Sequence, residues 1–144
     1  MSFLQSLNIS GSGLTAQRFR MDVISENIAN QDTTRTENGG PYRRKMVVLS
    51  SSPSNFKNMM IKNISDYKAA GVEVSEIIED ETEFKPVYNP QHPDADENGY
   101  VNMPNVDTLK ETVDMMEAYR AYQANITSLN TTKQMVLKTL EIGR

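Results

Sequence analysis

From Leu109 to Leu140 the chain returns an apolar side chain every three or four residues: Leu109, Val113, Met116, Tyr119, Tyr122, Ile126, Leu129, Val136 and Leu140, with only Lys133 interrupting the series. No glycine or proline falls between Asn105 and Ile142, so the pattern predicts one long helix. Its mean spacing lies near 3.5, the period of a coiled-coil seam rather than the 3.6 of a straight surface helix. Pro104 and Asn105 supply a start with a favoured capping side chain, and Gly143 supplies a stop. Acidic residues fill the first half and Lys133, Lys138 and Arg144 the last part, which suits the helix dipole. At 1.5 Å per residue the helix is roughly 55 Å long, more than the middle of this chain can cover.

The other end carries a second amphipathic stretch. Leu7, Leu14, Met21 and Ile28 form a column at intervals of seven, flanked by Ile9, Ala16 and Val23 on one side and Ile24 on the other. Gly11 and Gly13 weaken its beginning, so the secure helix is expected from about Leu14 to Asn30 with a looser lead-in. Residues 31–41 are polar and turn-forming. Strands are predicted over Tyr42–Leu49, Gly71–Ile78, Lys85–Tyr88 and Gly99–Met103 from β-branched, partly alternating composition. Residues 50–69 fit no period and are expected to form a mobile loop.

All six prolines fall between Pro41 and Pro104, which divides the chain in three. Residues 1–40 are a helix and its following loop, 41–104 a β-rich module, and 105–144 the second helix. The expected class is α+β, with two terminal helices forming a coiled-coil-like pair and a small β module inserted between them. Both helices carry apolar residues beyond one narrow seam, which implies several neighbours rather than one. Asn27, Asn30, Gln123 and Asn130 would fix register if buried.

Composition narrows the function. The chain has 144 residues, 38% of them hydrophobic, and a net charge of -4, with a mean hydropathy of -0.56. No run approaches the ~20 apolar residues needed to cross a bilayer, so no membrane insertion is expected. The first residues lack a basic leader and apolar block, which disfavours a removable secretory peptide. The absence of cysteine excludes thiol chemistry. The acidic balance argues against nucleic acid, whose binders carry a basic face.

Candidate chemistry is sparse. His92, in an Asn-Pro-Gln-His-Pro-Asp loop, has no patterned nucleophile beside it. Asp94, Asp96, Asn98 and Gly99 match the start of a calcium loop, but Asn105 stands where its bidentate Glu belongs and prolines flank it. A turn leading into a strand is the favoured reading. No enzyme activity, cofactor, metal or small-molecule substrate is therefore expected. The acids Glu73, Glu76, Glu79, Asp80, Glu81 and Glu83 face the basic run Arg43–Lys45 in sign, either as solvated surface or as patches that steer one subunit onto the next.

Gly13-Leu14-Thr15-Ala16-Gln17, then Ile24-Ser25-Glu26-Asn27-Ile28-Ala29-Asn30 and Thr33, closely resemble the N-terminal motif shared by flagellar rod and hook proteins. Further blocks are similar to the proximal-rod members of that family: Pro41-Tyr42-Arg43, Val87-Tyr88-Asn89-Pro90, His92-Pro93-Asp94-Ala95, Gly99 to Asp107, Tyr122-Gln123-Ala124-Asn125 and Leu137-Lys138-Thr139-Leu140. The resemblance implies a structural subunit of the basal-body rod, exported unfolded from the cytoplasm by the flagellar type III apparatus. Beyond the cytoplasmic membrane, in the periplasm or cell-wall space, it would polymerise through paired terminal helices into a hollow, torque-transmitting shaft. Its partners would be copies of itself, other flagellar rod proteins and neighbouring basal-body proteins. Leu14, Ile24, Asn27, Ile28, Asn30, Tyr122, Asn125, Leu137 and Leu140 are the implied assembly positions. The helical stripes add Leu7, Met21, Leu109, Val113, Met116, Tyr119, Ile126, Leu129 and Val136. The alternative is a soluble coiled-coil adaptor or export chaperone that holds one partner with the same helices.

Overall fold

The computed structural model describes residues 3–37, 39–52 and 71–143. In chain order the elements are α1 (Phe3–Ala29), β1 (Lys45–Ser51), β2 (Val72–Glu79), β3 (Lys85–Tyr88), β4 (Tyr100–Met103) and α2 (Thr108–Ile142). Two long helices with a small antiparallel β module between them in the chain make the class α+β, as the hydrophobic periodicity predicts. No helix among the described residues is long and apolar enough to cross a membrane.

The elements fall into two compact units, each drawing on the start, middle and end of the chain. The first unit comprises residues 1–19, 48–76 and 118–144. Here α1 begins at Phe3 rather than firming up only at Leu14. Gly11 and Gly13 each cost about 1 kcal/mol against alanine in a helix interior, yet close contacts hold the segment. A Cβ on Gly13 would sit 3.1 Å from the Asn125 amide, so the glycine lets α2 approach. Ser12 Oγ donates to the Ile9 carbonyl (2.8 Å) and accepts the Val72 N–H (3.0 Å). Gly71 lies so close to Ser12 that any side chain there would overlap its hydroxyl. Ser12 is thus the point on which the start of β2 rests.

The second unit comprises residues 20–47 and 77–117. α1 ends where Asn30 turns back on the Glu26 carbonyl through both its backbone N–H (3.1 Å) and its side-chain amide (2.9 Å). The loop that follows is closed by Thr36 N–H to the Gly40 carbonyl and by Tyr42 N–H to the Thr33 carbonyl. Gly39 and Gly40 take positive φ (78° and 92°) in it, the left-handed region that glycine enters at no steric cost. β3 and β4 pair antiparallel, Lys85 opposite Met103 and Tyr88 opposite Tyr100. One face of that hairpin buries Val101; the other exposes Tyr88 and Tyr100, packed edge to face at 5.3 Å. The Asp94–Gly99 segment forms the turn: Gly99 donates to the Asp96 carbonyl and the Asp96 N–H to the Tyr100 carbonyl. His92 Nδ1 accepts the Asp94 N–H in the same turn.

β1 and β2 form a separate two-stranded sheet. β1 starts three residues later than expected and runs on to Ser51, two residues into the predicted loop. The rest of that loop, 53–69, lies outside the described residues.

Asn105 is not the cap of α2. The helix starts at Thr108, and Asp107 Oδ1 accepts the Leu109 N–H (3.0 Å). Asn105 is spent elsewhere, accepting the Arg44 N–H (2.8 Å) and donating to the Asp80 carbonyl (3.0 Å) and Thr82 Oγ1 (2.9 Å). Both residues are good N-caps, and the one whose side chain a tertiary contact leaves free takes the role.

Candidate assembly surface

Along α2 the less exposed positions include Glu111, Met115, Ala118, Tyr122, Asn125, Leu129, Thr132 and Val136. Their spacing alternates four and three without a break, the pattern of an inward seam. The stripe read from the sequence lies partly on another face. Leu109 is 76% exposed, Val113 45%, Met116 49% and Tyr119 53%, and Ile126 and Leu140 are exposed as well; only Tyr122, Leu129 and Val136 of that stripe are half-buried. α2 therefore carries two lines, one of mixed polar and apolar residues used inside the chain and an apolar one left outside.

In the first unit the inward line meets α1 where Asn125 lies against Gly13. Ala16 is buried there, with Leu7 and Leu14 half-buried. In the second unit Glu111 accepts a bond from Asn27 (2.9 Å), and Arg20 approaches Asp114 (3.8 Å). Val23, Ile24 and Asn27 are buried there, with Met21, Ile28 and Asn30 half-buried. Of the candidate assembly residues, then, Ile24 and Asn27 are enclosed by this chain's own atoms. Leu109, Val113, Met116, Tyr119, Ile126, Leu137 and Leu140 stand open, and the others lie between. Of the four amides singled out for register, Asn27 is buried and Asn30 half-buried, whereas Gln123 and Asn130 are exposed.

Sequence reasoning missed Glu111 and Arg44. Glu111 is a charged residue at a fully buried position. Arg44 Nε donates to its Oε1 at 2.6 Å, and Arg44 Nη2 reaches Asp114 at 3.2 Å. Burial alone would lower the Arg44 pKa; the bond to Glu111 and the fields of Glu111, Asp114 and Asp80 outweigh it and raise it. The Thr82 backbone N–H, donating to Asp80, leads the effects that lower that carboxyl's pKa. The signal in the sequence was the four-three spacing from Glu111 to Val136.

The basic run is consumed within the second unit. Arg44 serves the carboxylates just named, Lys45 pairs with Glu26 at 2.5 Å, and the Arg43 guanidinium stacks 4.5 Å above the Phe84 ring. These residues are therefore not a free patch to meet the acids of another subunit. Glu26, Tyr42, Arg43, Lys45, Glu79 and Phe84 also line a cleft of about 850 Å³, a polar hollow whose two cations already have partners. Among the described residues, the outward apolar line of α2 is the longest run of exposed hydrophobic side chains on one helix.

Comparison with known proteins gives that surface a context. Residues 7–35 match the model for flagella basal body rod proteins, and residues 97–142 match that for the C-terminal region of flagellar basal body rod FlgEFG proteins. The flagellar basal-body rod protein FlgC of Bacillus subtilis is 51% identical, with all of both chains covered. The protein of that name from Borreliella burgdorferi is 44% identical over 99% of this chain and 98% of its own. That of Salmonella typhimurium is 43% identical, again over the whole of both. A match of this level along the full length, on a chain built from two long terminal helices, places it in the FlgC family of flagellar basal-body rod proteins.

Proposed function

We propose that this protein is a structural, non-enzymatic subunit of the bacterial flagellar basal-body rod, one that polymerises with its own copies and with other rod proteins through its terminal helices. The observation that carries the reading is the outward line of α2 in a chain of this family. Leu109, Val113 and Met116 sit at i, i+4 and i+7 and are each about half exposed or more, the spacing by which a helix lays one face against a neighbour. Burying such side chains is worth about 25 cal/mol per Å² of apolar surface before ordering costs. A contact repeated head to tail without closing generates a helical tube, which can transmit torque.

The site of work on this reading is the proximal part of the rod, outside the cytoplasmic membrane in the periplasm or cell-wall space. The chain travels there from the cytoplasm, unfolded, through the flagellar type III export apparatus. The division into residues 1–40, 41–104 and 105–144 then separates two assembly helices from the module they carry. Electron micrographs of basal bodies from a strain lacking this chain test the reading. A missing rod, restored by the intact gene, is the expected result; a complete rod in the deleted strain overturns it.

A further inference from the structure

Asn27 is 1% exposed and Glu111 fully buried, yet neither satisfies the other. One bond joins them, Asn27 Nδ2 to Glu111 Oε2. Every other partner comes from residues 42–45. Asn27 Oδ1 accepts the Lys45 N–H (2.9 Å) and the Tyr42 hydroxyl (3.0 Å), Asn27 Nδ2 donates to the Lys45 carbonyl (2.9 Å), and Glu111 Oε1 takes Arg44 Nε. Arg44 is fixed in turn by its backbone, which donates to Asn105 and accepts from the Asp80 N–H (2.8 Å).

If α1 and α2 closed in this register before residues 42–45 were in place, a carboxylate and an amide would be buried with a single bond between them. A buried charge without its partner is strongly unfavourable, and so is an unsatisfied amide. We infer that Asn27, Arg44 and Glu111 form an interlock, by which residues 20–29 and 108–117 close on each other only when the 42–45 segment has docked. A bare helix pair is penalised, and the finished unit is the single arrangement in which all three residues are satisfied. The interlock does not depend on the rod reading. Its consequence for assembly does: the Leu109–Val113–Met116 face is presented as an ordered surface only by a chain whose β segment is home.

The test is hydrogen exchange on the full chain across a urea series. In the wild type, amides of 20–29, 108–117 and 44–47 open together, with one denaturant dependence. In Asn27→Leu/Arg44→Met/Glu111→Leu, which replaces all three residues by apolar side chains, the helix amides stay protected at least tenfold beyond those of 44–47, because the helices now close unaided. Coincident opening in that variant overturns the inference, since a merely stabilising contact lowers all three sets in parallel.

Should the triple variant fail to fold, Arg44→Met and Arg44→Met/Glu111→Gln supply the reading. The first orphans a buried carboxylate; the second replaces it by a neutral amide. Helix protection in the second exceeds that in the first at least tenfold, because the buried charge is gone. Equal protection in the two overturns the inference.

Discussion

Gly11 and Gly13 lie two residues apart in the same helix, which puts them on nearly opposite faces, and the difference in their surroundings sets the size of an alanine substitution at each. A Cβ on Gly11 meets nothing within 4 Å. Gly11→Ala therefore gains the full helix-propensity difference, about 1 kcal/mol, through a less flexible unfolded chain. For a chain of this size that corresponds to a rise in Tm of about 3 °C. At Gly13 the new methyl would lie 3.1 to 3.2 Å from three atoms of the Asn125 side chain. Asn125 cannot simply swing away, because its Nδ2 donates to the Ala121 carbonyl at 3.0 Å. Losing one such bond costs about 1 kcal/mol, which cancels the propensity gain, and residual overlap adds up to ~1–3 kcal/mol. Gly13→Ala should therefore be neutral to destabilising, at least ~1 kcal/mol below Gly11→Ala on the propensity scale. Urea unfolding of the two purified variants, followed by circular dichroism with m values compared, measures the gap. Equal stabilisation by both would show that Gly13 makes no tight approach to α2. The open space over Gly11 adds a second reading in cells: if Gly11→Ala stabilises the isolated chain yet abolishes swimming, a neighbouring subunit occupies that space in the rod.

Val113→Asp with Met116→Asp should leave urea unfolding within ~0.5 kcal/mol, as for other exposed positions, while swimming and rod formation fail; normal motility would exclude this face from assembly. Burial and nearby carboxylates, Glu26 first, push the Tyr42 hydroxyl up to about 12. Because the folded value is the higher one, its contribution is complete below pH 10 and disappears as the pH rises through about 12. Tyr42→Phe should lose ~1–2 kcal/mol at neutral pH and flatten the alkaline decline expected of the wild type, read from unfolding midpoints between pH 8 and 11.5. Asp107→Ala, which removes one helix cap, should cost ~1 kcal/mol. Asn105→Ala should cost more, ~2–3 kcal/mol, because the Arg44 N–H loses its partner and the Asp80 carbonyl keeps only Arg43; the reverse order would return the cap to Asn105.

The elements were legible because their signals are local. Hydrophobic period, the confinement of proline to the middle, and β-branched runs mark two helices and four strands, and β3 is found at its expected bounds. The misplaced features all depend on tertiary partners. No period announces that Ser12 will take the Val72 N–H, so a Ser-Gly-Ser-Gly helix start looks loose when it is clamped. Asn and Asp cap almost equally well, so the sequence alone does not separate Asn105 from Asp107, and only the arrival of Arg44 and Asp80 decides between them.

The same reasoning explains why α2 shows its outer face more plainly than its inner one. The outward line carries Leu109, Val113 and Met116, which any hydrophobicity pattern finds. The inward line includes Glu111, Ala118, Asn125 and Thr132, which such a pattern discounts. Asn125 and Glu111 are inward because α1 supplies small or polar residues to meet them, Gly13 for Asn125 in one unit and Asn27 for Glu111 in the other. A seam satisfied inside one chain can use polar groups, since each finds its bond in a fixed place. A surface meant for partners in several positions gains more from non-directional apolar contact. On the proposed reading, a helix whose strongest apolar line faces outward, while its more polar line is held inside, carries its association in the choice of residues, and the double substitution at Val113 and Met116 tests that division directly.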